Sequence, residues 1–304
     1  WQGRYFGTAT SLRSIAFTLS AGFKVNDEFA VGLGLVGQYT KANLNSVIDT
    51  AGVLYGLAAL NPPQSLDTQL NINVKKKLSF GYIGSFVFKP TAQDSFGFSY
   101  HSKIKNELSG KYKIYAGEGT KQLLLLGPSL NPLLAQAGLP PFPPINPDGG
   151  NASARVDMPA FANLDWVHFF DDRFSLAASV AWTDWSSFQE IALYSQGNRL
   201  VGLKQNYKDS WTYSLGGEYK LTPAWTLRAG IGYDETPTSI STRDPRIPDG
   251  PRKILGVGVG YQATKNLAVD LGYQHQFLGD VAVRQTNQFI LGSGTMKGKF
   301  KDSG

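Results

Sequence analysis

The chain has 304 residues, 42% hydrophobic and 17% charged, a balance that fits neither a disordered chain nor a helical membrane protein. It has no cysteine, which excludes thiolate metal sites, thiol nucleophiles and disulfides together. The formal net charge is +6, but apart from Lys75-Lys76-Lys77 the basic residues are scattered. No aromatic-and-basic recognition motif stands out, so nucleic acid is not an expected partner.

In chain order, Phe17, Leu19, Ala21 and Phe23 alternate with polar or small residues and predict the first strand; Asn26-Asp27 is a turn signal. The second carries Phe29, Val31, Leu33, Leu35 and Tyr39. Inside it, Gly32 to Gly37 spells G-x-G-x-x-G, but a nucleotide loop needs that motif between a strand and a helix. Here it lies within the alternation, and its glycines are expected on the crowded inner side. Ser46 to Gln69 reads as a long connection with a short amphipathic helix ending at Pro62-Pro63. Leu78 to Phe88 and Phe96 to Tyr100 predict the third and fourth strands.

Tyr115 to Asn151 is the longest interruption, with Leu123 to Leu126 and a helical turn over Leu130 to Leu139 before Pro140-Pro141-Phe142-Pro143-Pro144. It is too apolar for a solvated tail. Strands five and six are predicted at Ala160 to Trp166 and Phe174 to Trp182. The clearest alternation follows: Trp211 to Tyr219, Trp225 to Tyr233, Leu255 to Tyr261 and Leu267 to Tyr273, giving ten strands in all.

Period two with one apolar face means a sheet between two environments. The apolar face ends in Trp or Tyr on almost every strand, and short turns alternate with long loops. That combination predicts a transmembrane β-barrel. On the lipid side at mid-membrane Arg228 would cost about 2–4 kcal/mol, and a one-residue slip would turn Trp225, Leu227 and Ile231 inward. Arg228, Glu218 and Asp270 are therefore expected to point into the lumen. No stretch reaches the roughly 18–20 apolar residues of a spanning helix. The even alternation of turns and loops predicts one domain, 1–304. Trp1-Gln2-Gly3-Arg4 lacks the features of a signal peptide and Lys299 to Gly304 reads as the beginning of a strand, so the expectation is a piece cut at both ends.

Several segments, in order, resemble the FadL/TodX family of outer-membrane transporters: Gly97-Phe98-Ser99-Tyr100-His101-Ser102; Ala181-Trp182-Thr183-Asp184-Trp185-Ser186-Ser187-Phe188-Gln189; Asn206-Tyr207-Lys208-Asp209-Ser210-Trp211; Ala224 to Ile231; and Ile247-Pro248-Asp249-Gly250-Pro251-Arg252. The resemblance covers essentially the whole chain. It implies an all-β antiparallel barrel of 14 strands, of which about ten are present, with short helices in the extracellular loops. The N-terminal hatch, the first strands and the last would be missing.

It further implies passive uptake of long-chain fatty acids or related hydrocarbons across the outer membrane of a Gram-negative bacterium. An apolar capture groove would comprise Val53, Leu54, Leu57, Leu60, Leu123, Leu124, Leu133, Leu134 and Phe142. A lumenal site for a ligand carboxylate would use Arg252 and Asp209, and more loosely Lys41 and Lys204. Arginine suits that task because its paired N–H groups meet both carboxylate oxygens. The same charges would serve equally to pair with each other inside a barrel.

Expected partners are hydrophobic small molecules (fatty acids, aromatic hydrocarbons), outer-membrane lipid and lipopolysaccharide, with the protein a monomer and no cofactor or metal required. The alternative is a general porin for small polar solutes. The histidines, His101, His168 and His275, have no matched Ser and acid in evident register, so an enzyme is not expected.

Overall fold

The computed structural model describes residues 8–48, 67–136, 144–244, 248–286 and 295–301. In chain order the strands are β1 (Ala9–Lys24), β2 (Phe29–Ile48), β3 (Thr68–Phe88), β4 (Asp94–His101), β5 (Glu107–Tyr115), β6 (Gly150–Arg155), β7 (Phe161–Phe169) and β8 (Phe174–Thr183). Then come β9 (Glu190–Ser195), β10 (Asn198–Lys204), β11 (Ser210–Lys220), β12 (Trp225–Asp234), β13 (Arg252–Thr264), β14 (Leu267–Phe277), β15 (Val281–Thr286) and β16 (Thr295–Phe300). Two short helices, α1 (Glu118–Leu126) and α2 (Asn131–Gln136), lie between β5 and β6.

Every strand pairing is antiparallel, and β1 to β14 form one continuous sheet. Its many segments trace ten long strands. β3 faces β4 with Ile83 opposite His101, and faces β5 with Lys75 opposite Ser109. The same number of residues separates the two pairs on either chain. So β4 and β5 are one strand that lets go of β3 for a stretch without losing register. β7 and β6 continue each other in the same way, with Phe161 opposite His101 and Arg155 opposite Glu107. β8 runs on into β9, and β10 into β11. The ten strands read from the alternation are thus the ten long strands of this sheet.

Parity is as expected. On β2, Gly34, Val36, Gln38, Thr40 and Ala42 are buried, while Leu33 and Leu35 on the other face are exposed. Phe17 (75% exposed), Leu19, Phe80, Leu215, Ile231 and Leu271 extend that outward apolar face. Exposure of this kind is costly in water and favourable in hydrocarbon. Of the G-x-G-x-x-G glycines, Gly32 and Gly34 share the inner parity, and Gly37 lies on the outer one. A Cβ on Gly32 would stand 2.5 Å from Ser85 Oγ, so a larger residue here would have to turn that hydroxyl aside.

At 20 and 21 residues, β2 and β3 are about twice the roughly 9–11 needed to span a bilayer. Their surplus builds an outer sheet with β5, β6, β9 and β10. Leu70, Ile72, Val74, Leu108, Tyr112, Leu193 and Leu200 pack on its inner face, and Leu124 and Leu134 from the two helices close over it. The expected helical turns are therefore present, but as a cap on a small core. Beyond the strands expected from the alternation, β9 and β10 form a hairpin turning at Gln196 and Gly197, both with positive φ. The expected helix at Val53 to Leu60 lies outside the described residues.

Candidate functional site

Four neighbouring strands lose their regularity at one level, and each break has a local cause. After β4, Ser102 Oγ takes the Tyr82 amide at 2.9 Å in place of a backbone carbonyl. Between β6 and β7 stands Pro159, which has no amide for the ladder. β8 ends in a 3₁₀ turn, Trp185–Ser187. Between β10 and β11, Asn206 has φ 46°, a left-handed conformation that Asn tolerates better than most residues. The breaks are tied together: Ile104 bridges Met158, Asp184 N donates to Ala160 O at 2.9 Å, and Gln205 N donates to Gln189 O at 2.8 Å.

Where the strands part, a cavity of about 370 Å³ opens on the inner face, within the range of ligand pockets (~300–1,000 Å³). Leu12, Leu44, Val156, Met158, Phe188 and Ile191 supply much of its apolar wall, with Trp185 and Tyr207 beside them. Trp185, Phe188 and Tyr207 meet edge-on, with ring centroids 5.3–6.4 Å apart. Asp157, Asp234, Glu235, Asp244, Asp249 and Arg252 add polar groups to its lining.

Arg252 therefore stands at the cavity, as expected for a lumenal residue, but it is already engaged. Its Nη1 donates to Asp234 Oδ2 at 3.1 Å and its Nη2 to Asp249. Thr212 and Thr236 brace the same two carboxylates, at 2.6 and 2.5 Å.

The other three expected charges stand elsewhere. Asp209 accepts from Trp182 Nε1 at 3.0 Å and Ser186 N at 2.9 Å, so it pins the 3₁₀ turn to β11 and is absent from the cavity wall. Lys41 neighbours the buried Thr40 and Ala42, which puts it on the outward face with Leu35, not in the lumen. Lys204 is exposed in register with Glu190, on the face opposite the cavity-lining Ile191. Its neighbour Gln205, 2% exposed, lines the cavity instead. A one-residue error in parity accounts for both lysines.

Among the groove candidates, Val53, Leu54, Leu57, Leu60 and Phe142 lie outside the described residues. Leu123 falls within α1. Leu124 is 0% exposed and Leu134 1%, so both belong to the packed core of the cap. Leu133 is exposed, as are Leu125 (62%) and Leu126 on α1, which sequence reading passed over. The signal was available: buried Thr120, Leu124 and Gly127 follow the i, i+4, i+7 stripe of a helix, leaving the neighbouring leucines outside.

The lumenal charges Glu218, Arg228 and Asp270 do come together. Arg228 Nε donates to Glu218 at 2.7 Å, and its Nη1 reaches across β13 to Asp270 at 2.7 Å. Gly260 makes the reach possible, since a Cβ there would lie 2.7 Å from the Asp270 carboxylate. The histidines are dispersed: His101 stacks on Phe161, His168 lies 2.8 Å from Asp94, and His275 lies 3.2 Å from the Tyr273 hydroxyl.

An antiparallel sheet of ten long strands, oily outside, charged and cavity-bearing inside, defines an outer-membrane β-barrel. The profile of the family described as "Outer membrane protein transport protein (OMPP1/FadL/TodX)" matches residues 1–304, and the chain belongs to that family. It is similar to the long-chain fatty acid transport protein of Escherichia coli, with 27% identity over 89% of this chain and 60% of that protein. The 47 kDa outer membrane protein of Pasteurella multocida is 30% identical over 90% of this chain and 61% of its own length. The chain thus spans about 60% of these curated relatives. The crystal structure of a Pseudomonas aeruginosa FadL homologue superimposes with a TM-score of 0.85 and 39% identity, covering 98% of this chain and 67% of that one.

Proposed function

We propose that this chain forms most of the wall of a passive channel for hydrophobic compounds, long-chain fatty acids or related hydrocarbons, across the outer membrane. The observation that carries this reading is the largely apolar cavity set into the inner wall where four strands break. Removing each methylene from water is worth about 0.8 kcal/mol, so such a recess favours a sparingly soluble chain or ring over a polar solute. The exposed Leu125, Leu126 and Leu133 on the cap offer a weaker site outside it. Two stations of unequal strength let a ligand be captured without being held too tightly to leave. The reading needs no chemistry on the ligand, treats 1–304 as one unit and takes the working form as a monomer in outer-membrane lipid. It accords with the similarity to the long-chain fatty acid transport protein of Escherichia coli.

The test uses the full-length protein in liposomes, with oleate binding, toluene binding and sugar-driven swelling measured side by side. Saturable binding of either hydrophobic ligand with negligible swelling supports the channel. Rapid sugar entry without such binding would make the protein a general porin.

A further inference from the structure

Above the apolar band, the outward face of the first strands changes character abruptly. On β1 the outward residues Phe23, Leu19, Phe17 and Ile15 are followed by Arg13, roughly 7 Å farther along the strand. Arg13 stands directly opposite Lys41 on β2, and Lys41 directly opposite Lys75 on β3. Three cations thus sit side by side in one cross-strand row. Lys111 and Lys113 of β5 share this face a step higher, opposite Asn73 and Asn71. Asn43 and Asn45 of β2 fill out a surface of amides and ammonium groups.

Like charges directly opposite in a sheet repel, and no described residue on this face compensates for the row. Among the described residues the only carboxylate on this face of β1, β2, β3, β5 and β6 is Glu107, which stands opposite Arg155. None of Arg13, Lys41, Lys75, Lys111 and Lys113 makes an ion pair with a described residue. The row also lies toward the long loops, the end such barrels turn outward.

We propose that the row Arg13–Lys41–Lys75, with Lys111 and Lys113 above it, is a binding site for the phosphate groups of a phosphorylated glycolipid in the outer leaflet. Charge complementarity selects the anion. Continuity with Ile15, Phe17, Leu33 and Leu35 selects a lipid over a free ion, because acyl chains lie along that band while the phosphate meets the cations. Neighbouring strands about 4.8 Å apart let two side chains share one phosphate. The site rests on the barrel's outer-membrane setting but not on what the channel carries.

The experiment is native mass spectrometry of the full-length protein in detergent, titrated with bisphosphorylated lipid A, with dephosphorylated lipid A and with inorganic phosphate. Retention of bisphosphorylated lipid A is expected, with about tenfold weaker retention of the dephosphorylated form, as the loss of charge-assisted bonds implies. The triple variant R13Q/K41Q/K75Q should lose the adduct while binding oleate as before, and R13K/K41R/K75R should keep it. Equal retention of both lipids, or retention by the glutamine variant, would overturn the site. Phosphate alone competing as well as lipid A would make it a free-anion site and overturn the lipid assignment. If R13K/K41R/K75R folds and binds oleate but loses lipid A, the charge argument fails.

Discussion

Arg252 and Asp234 face each other across the β12–β13 ladder, and the guanidinium donates to that carboxylate at 3.1 Å while Asp249 holds its other arm. A ligand carboxylate binding Arg252 must compete with the negative charge of both. Arg252→Ala in the full-length protein should therefore weaken oleate binding more than toluene binding. Asp249→Asn should do the reverse, strengthening oleate by about tenfold, since a charge-assisted hydrogen bond is worth about 1.5–3 kcal/mol, with toluene unchanged. Isothermal titration with both ligands checks this; equal effects on the two would leave Arg252 with a purely structural role.

The cap separates packing from capture within adjacent residues. Leu124→Ala should cost about 2–5 kcal/mol, the usual loss for a fully buried leucine, seen as a lowered urea midpoint of the outer sheet. Leu125→Asp with Leu126→Asp should leave that midpoint within about 0.5 kcal/mol, as surface changes do, and slow oleate uptake from dilute solution.

A backbone clash offers a sharper test of the β3–β5 pairing. A Cβ at Gly110 would stand 2.0 Å from Asn73 O, whereas one at Gly84 meets nothing within 4 Å. Gly110→Ala should destabilise by about 1–3 kcal/mol and Gly84→Ala by much less, measured as urea midpoints or as loss of heat-modifiable gel mobility.

At the opposite end, the short turn before β8 depends on an ionised side chain. The amides of Arg173 and then Phe174 donate to Asp171 Oδ1 and hold its carboxyl below the usual range. A depressed folded value means that the contribution is complete above the unfolded value near 3.8 and is lost as pH falls through the folded one. Carboxyl-detected NMR should place the Asp171 midpoint below 3.8; a midpoint at or above it would remove the turn's dependence on charge.

The membrane-level strands were legible because one face meets hydrocarbon, so Trp225, Leu227 and Ile231 must alternate with small or polar residues. The outer sheet was not. On β5 Leu108, Tyr112 and Ile114 are buried against Glu107, Lys111 and Lys113, a period-two pattern whose polar members mask it. Lys41 and Lys204 were misplaced for a related reason: charge alone does not reveal which face a residue occupies, and parity relative to Leu35 or Ile191 does. Arg252 was reached through its local motif, but its two acidic partners follow only from the fold. The cavity itself was hidden, since Pro159, Asn206 and the Trp185–Ser187 turn come together only when the long strands are laid side by side.

Residues 1–304 contain no cysteine, so with any cysteine elsewhere in the full-length protein replaced by serine, one labelling experiment is decisive for the two-faced wall. Leu35 and Leu44 lie on the same strand, one on the outward band and one on the cavity. Single Leu35→Cys and Leu44→Cys variants of the full-length protein in brominated-lipid bilayers would each carry a bimane fluorophore. The expected result is lipid quenching at position 35 alone, with oleate slowing thiol labelling at position 44 alone. Quenching of both by the lipid, or labelling at position 44 indifferent to oleate, would contradict it.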